Sequence, residues 1–180
     1  MLAIVLATGC GYSLVGAGGS LGDVHTVAIP VLRNDSWEPG VEYVIGDALR
    51  REFLRRKGVR LVENPSRADL VLSGRVSRVH TRTASVDSVV LALEYEITLE
   101  LDLEAHRSGG AAVPIDVGAL RDSERYLASA DPEVTRKNRQ EALRQVASVL
   151  AGRLYLALQE TLESGAPPEP ASPAAPGTSG

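Results

Sequence analysis

The stretch Val89-Val-Leu-Ala-Leu-Glu-Tyr-Glu-Ile-Thr-Leu-Glu-Leu-Asp-Leu-Glu104 decides the fold. Val89, Leu91, Leu93, Tyr95, Ile97, Leu99, Leu101 and Leu103 occupy alternate positions. Between them the series turns acidic after Ala92, through Glu94, Glu96, Glu100, Asp102 and Glu104. Successive side chains of a strand point to opposite faces, so this segment presents one apolar face and one charged face. It reads as a long antiparallel strand that covers a core on one side and meets solvent on the other.

Downstream, Arg107-Ser-Gly-Gly-Ala-Ala has the composition of a hairpin loop, and Ile115 to Tyr126 is expected to pair back as the next strand. Upstream, Arg60 to Glu63 and Asp69 to His80 read as extended, with Gly74 marking a bulge or break. Val24 to Leu32 is a short apolar run with β character, and Pro30 places it at a sheet edge or near a strand end.

Two segments change period. From Val41 to Lys57, residues Val41, Val44, Ile45, Ala48, Leu49 and Phe53 recur at helical steps, and Gly58 supplies a left-handed residue after the last turn. Asp131-Pro132-Glu133 is an N-cap, a proline at the first helical position and an acid in the first turn. Val134, Leu143, Val146, Leu150, Leu154, Leu158 and Leu162 carry that second amphipathic helix onward, with Gly152 as its weak point. The expected fold is α+β: two helices packed on one face of a mostly antiparallel sheet of about four strands, a two-layer sandwich.

The folded domain is expected over residues 23–163. A chain of 180 residues with 44% apolar and 23% charged residues holds one domain with a full core. A net charge of −4, with five Tyr, one Trp and one Phe, argues against nucleic acid as a partner. His25, His80 and His106 are scattered without metal-ligand spacing, and neither a nucleophile elbow nor a phosphate loop occurs. Neither catalysis nor a cofactor is expected.

The lone cysteine, Cys10, follows the apolar run Leu2-Ala-Ile-Val-Leu-Ala-Thr-Gly9, which closes on small residues as a secretory signal does. Cys directly after such a site resembles a bacterial lipobox, in which the thiol is acylated and becomes the mature N-terminus. No Lys or Arg precedes the run, so the true start is expected upstream. Residues 1–9 are thus expected to be a signal peptide, 10–22 a lipidated N-terminus with a glycine-rich tether, and 164–180 a disordered Pro/Ala-rich tail. Two or more acyl chains hold a protein stably on a membrane, where a single chain does so only marginally.

Four stretches together resemble the lipopolysaccharide-assembly lipoproteins, the LptE family. They are Gly9-Cys-Gly-Tyr-Ser-Leu14, Val27-Ala-Ile-Pro-Val-Leu-Arg-Asn34, Glu38-Pro-Gly-Val-Glu42 continuing through Ala48-Leu-Arg-Arg-Glu52, and Arg136-Lys-Asn-Arg-Gln-Glu-Ala-Leu143. The resemblance spans about Cys10 to Leu162. It implies two helices against a four-stranded sheet, and an outer-membrane lipoprotein facing the periplasm. It also implies a domain that plugs the lumen of a large β-barrel partner (LptD), helps the barrel fold and binds lipopolysaccharide. A lipoprotein that activates a cell-wall synthase is the alternative, since such proteins also combine a lipobox with an α+β body.

Lipid A carries phosphates, so basic residues placed where structure does not require them are the candidate contacts. Arg50, Arg51, Arg55, Arg56 and Lys57 crowd the end of the first helix, where the dipole accounts for them. Arg136, Lys137 and Arg139 lie near the start of the second, where it does not; a solvated charged face is the competing explanation. Arg136 best matches the basic residue that the family has in this stretch. Arg78, His80 and Arg82 share one strand face, and Arg82 is the second candidate, against the reading of an edge strand protected by charge. The candidate ligand residues are therefore Arg82, Arg136 and Lys137, with Cys10 as the lipidation site.

Overall fold

The computed structural model describes residues 21–87, 92–116 and 120–164. Cys10, the expected signal peptide, most of the tether and residues 165–180 of the expected tail lie outside the described residues.

Two long strands, β4 (Leu70–Asp87) and β5 (Ala92–Arg107), form an antiparallel hairpin at the centre of the sheet. β1 (Thr26–Ala28) and β2 (Arg33–Asn34) run along the free edge of β4, and β3 (Arg60–Leu61) pairs with β1. β6 (Ala112–Val113) and β7 (Arg121–Leu127) run along the free edge of β5. Helix α1 (Val41–Arg55) connects β2 to β3, and α2 (Pro132–Ser164) closes the described chain.

The α+β class and the two helices agree with the sequence. The sheet does not match the expected four antiparallel strands in a flat sandwich: it is mixed and curled, with seven strands among the described residues. β1 and β2 run parallel to β4, and β1 runs parallel to β3, because α1 acts as a crossover that returns the chain in the same direction. Pro30 lies between β1 and β2, and Pro114 follows β6. A residue without an N–H interrupts a hydrogen-bond ladder, so each outer strand is split in two.

The expected alternation holds along the inner part of β5, while Val89, Val90 and Leu91 of that expectation lie outside the described residues. Ile97, Leu99, Leu101, Leu103 and Ala105 are buried in the core with Leu70, Leu72 and Val76 of β4. The irregularities of β4 fall between Val76 and Arg78 and between Thr83 and Ser85, not at Gly74. The first inserts one extra residue, which puts both Arg75 and Arg78 on the outer face of the sheet. Gly74 instead permits a close approach: with φ at 146°, an added Cβ would lie 2.1 Å from the Asp102 carbonyl oxygen.

α1 places Val41, Ile45, Ala48, Leu49 and Phe53 on the core, and α2 adds a stripe from Ala142 to Leu162. The two helices run side by side in the same direction. Glu38, just before α1, meets Arg139, while Phe53 packs edge-on against Tyr155 with ring centres 5.3 Å apart. α2 begins as its sequence indicates, with the Glu133 N–H donating to Asp131 Oδ1 at 2.8 Å.

Several boundaries move. Leu21 is fully buried and bridges to Val24, so the ordered domain already includes residues 21 and 22 of the expected tether. α1 ends on an extended Arg56, and Gly58, with φ at 90°, lies two residues beyond that cap. Among the described residues, the strand expected from Ile115 to Tyr126 is represented by β7, and Ser164 belongs to α2 and not to the tail.

Candidate functional site

The outer face of the sheet, opposite the helices, is an ionic lattice. β5 contributes Glu94, Glu96, Glu100 and Asp102; β4 contributes Arg75, Arg78 and Arg82; β7 contributes Arg121 and Arg125. Arg75 meets Asp102 at 2.6 Å and Asp35 at 3.4 Å. Glu100 lies between Arg78 and Arg121, at 3.9 and 3.5 Å. Arg82 meets Glu96 at 2.7 Å, and Arg125 approaches Glu94 and Glu96 at 3.6 and 3.8 Å. Cross-strand pairs of opposite charge add a few tenths of a kcal/mol each, roughly 0.2–1. Their larger effect is to keep a broad, uncovered sheet face charged yet locally balanced.

Arg82 therefore sits on the outer strand face it was expected to share with Arg78 and His80, with its guanidinium donating twice to Glu96. It borders an open groove of about 720 Å³ lined also by Thr98, Glu100, Arg121 and Ser123. Nearby on the same face, Nδ1 of His80 is buried without a hydrogen-bond partner among the described residues.

Arg136 and Lys137 occupy the opposite layer, in the second turn of α2, and both are exposed. They share one local carboxylate: Arg136 donates to Glu133 at 2.6 and 2.9 Å, and Lys137 lies 3.9 Å from it. The Arg136 guanidinium holds the Glu133 carboxyl below its usual range, and the same bond raises Arg136. Glu133 thus offsets part of the unfavourable placement near the helix N-terminus. Both cations still present donors to solvent. The structure brings Arg136 and Lys137 together but leaves Arg82 across the sheet from them.

Arg139 behaves differently. It grips Glu38 with two bonds of 2.5 and 2.6 Å, both side chains being mostly buried. The carboxylate raises the Arg139 pKa. Its placement is explained within the fold, as the clasp between α2 and the segment entering α1. Two of the basic residues at the end of α1 are explained likewise. Arg55 and Arg56 both bind the buried carboxylate of Glu52, and Arg56 also lies over the Tyr155 ring at 4.6 Å.

Trp37, the single tryptophan of the chain, is 99% exposed in the turn before α1. No periodicity marks a lone aromatic between turn residues, so its display is visible only in three dimensions.

Among the described residues, no cluster of His, Cys, Asp or Glu is arranged to hold a metal ion, and no helix is long and apolar enough to cross a membrane. A family model for lipopolysaccharide-assembly proteins, LptE, matches residues 24–158. No curated protein matches the chain. Among solved structures, an uncharacterized lipoprotein B from Nitrosomonas europaea is 13% identical, with 87% of this chain and 94% of that one covered at a TM-score of 0.53. The rare lipoprotein B from Shewanella oneidensis is 15% identical, with 77% and 97% covered at a TM-score of 0.50. At such identities the likeness concerns the fold alone.

Proposed function

Because this chain belongs to the lipopolysaccharide-assembly (LptE) family, we propose that it is an outer-membrane lipoprotein, anchored through acylated Cys10, that binds lipopolysaccharide and assists a barrel of the LptD type. The observation that carries this reading is the family match across 24–158, which takes in α1, all seven described strands and α2 up to Leu158. The domain faces the periplasm and acts as a binding and assembly partner, without catalysis or a cofactor.

Two physical features support it. The sheet's outer face is charged and self-neutralised, which suits contact with the polar interior of an outer-membrane barrel. Arg136 and Lys137 are accessible cations that no buried carboxylate claims, and phosphate recognition needs such donors. In this reading they contact the lipid A phosphates, and Arg82 contributes from the outer groove.

Depletion of the protein tests the proposal. Surface lipopolysaccharide and the level of folded barrel should both fall. Normal values for both would overturn it, and recovery of a cell-wall synthase as the stable partner would point to the alternative.

A further inference from the structure

We infer that the end of the domain bearing Trp37 is a preformed docking tip for a protein partner; the inference rests on the proposed reading for that partner's identity, the barrel. The turn holding Trp37 is tied on both sides. The Asn34 amide donates to the Glu38 carbonyl at 2.7 Å and to Glu42 at 2.8 Å. Its oxygen accepts from the Ser36 N–H and hydroxyl at 3.0 and 2.7 Å. The Asp35 N–H donates to the Val76 carbonyl at 3.0 Å, and the Glu38 carboxylate is clasped by Arg139. The backbone under the indole is therefore ordered before anything binds. With the backbone already held, docking costs only the rotamer freedom of the indole, and tryptophans are frequent interface anchors.

Other apolar surface gathers at the same end. The Leu127 carbonyl accepts from the Asn138 side chain beside Arg139, and Val134 lies one turn earlier on α2. Leu127 and Val134 are both exposed. A cleft of about 360 Å³ opens here between β7 and α2, lined by Tyr126, Leu127, Asn138 and Glu141.

The position of the tip favours a protein over the anchoring membrane. Gly22 lies against Leu162, 23 residues along α2 from Arg139. At 1.5 Å per residue that separates the tip from the chain's point of entry by about 34 Å. The 11 residues from Cys10 to Leu21 reach at most about 36–40 Å when fully extended. Only a tether stretched back along the whole domain would bring Trp37 to the surface that holds the lipid.

The test uses the lipidated full chain carrying 5-fluorotryptophan, with its single site at Trp37. It is measured alone, in phosphatidylethanolamine–phosphatidylglycerol vesicles, and in complex with the same organism's barrel refolded in detergent. The expected result is a shifted fluorine resonance and loss of acrylamide access only in the complex. Trp37→Ala should weaken that complex roughly thirtyfold or more, with Trp37→Phe recovering part of it and the thermal melt of the free Ala variant unchanged. An indole still open to acrylamide in the complex, or equal binding by the Ala variant, overturns the docking tip while leaving the proposed function standing. Shielding by vesicles alone would assign the indole to lipid and equally overturn it. A wild-type chain that forms no complex with the barrel removes the proposed function and the tip together.

Discussion

Removing the clasp between Glu38 and Arg139 separates structural from ligand-facing cations on α2. The two side chains form paired bonds of 2.5 and 2.6 Å and retain 22% and 30% of their exposure. Hydrogen bonds to charged groups contribute roughly 1.5–3 kcal/mol net. Exposed pairs fall near 0–1 kcal/mol, and loss of one partner of a buried pair costs about 3–5. This pair lies between, so Glu38→Gln and Arg139→Gln should each destabilise by about 1.5–3 kcal/mol. The double variant should reveal a coupling of about 1–2 kcal/mol. Urea unfolding followed by helical circular dichroism measures all four corners of the cycle. Arg136→Gln, three residues away on the exposed side, should leave the midpoint unmoved. A coupling below about 0.3 kcal/mol, within the range of independent sites, or an Arg136 variant as damaging as the Arg139 one, would refute the division of roles.

The double variant Arg136→Asp with Lys137→Asp should remain folded but capture less lipopolysaccharide in a pull-down; unchanged capture would remove that patch from the site. Gly74→Ala should cost about 3–5 kcal/mol, because the strained backbone and the clash with β5 act together; a loss under about 1 kcal/mol in urea melts would mean the hairpin is not that close. Asp69 accepts from Thr26 Oγ1 and from the His25 and Thr26 N–H groups, which hold its pKa below the usual value. A depressed folded pKa contributes stability that is complete above the unfolded value, near 4, and is lost as pH falls through the folded one. Asp69→Asn should therefore flatten the acid side of a stability–pH curve below about pH 4, and an unaltered acid limb would discount the Asp69 bonds.

What was legible in advance was local and periodic. The β5 alternation survives because a two-residue period can bury only one set of side chains, and Ile97 to Ala105 are that set. The start of α2 was readable because Asp131 and Pro132 act within one turn. The bulge after Val76 was not legible, since a register slip belongs to a pair of strands and leaves no mark in either one alone. The parallel entry of β1 and β2 is hidden from the sequence for the same reason: direction within a sheet depends on where α1 carries the chain.

The candidate site divides along the same line. Arg136, Lys137 and Arg139 share one short basic run, and the sequence treats them alike. Only the fold hands Arg139 to a carboxylate 101 residues away and leaves its two neighbours facing water. Composition and order by themselves determined the class, the two helices, the apolar face of β5 and the family resemblance, because these depend on side-chain type and local period. Tertiary structure alone decided strand direction, the ionic partners of each arginine and the display of Trp37, because each depends on groups distant in sequence meeting at a few ångströms.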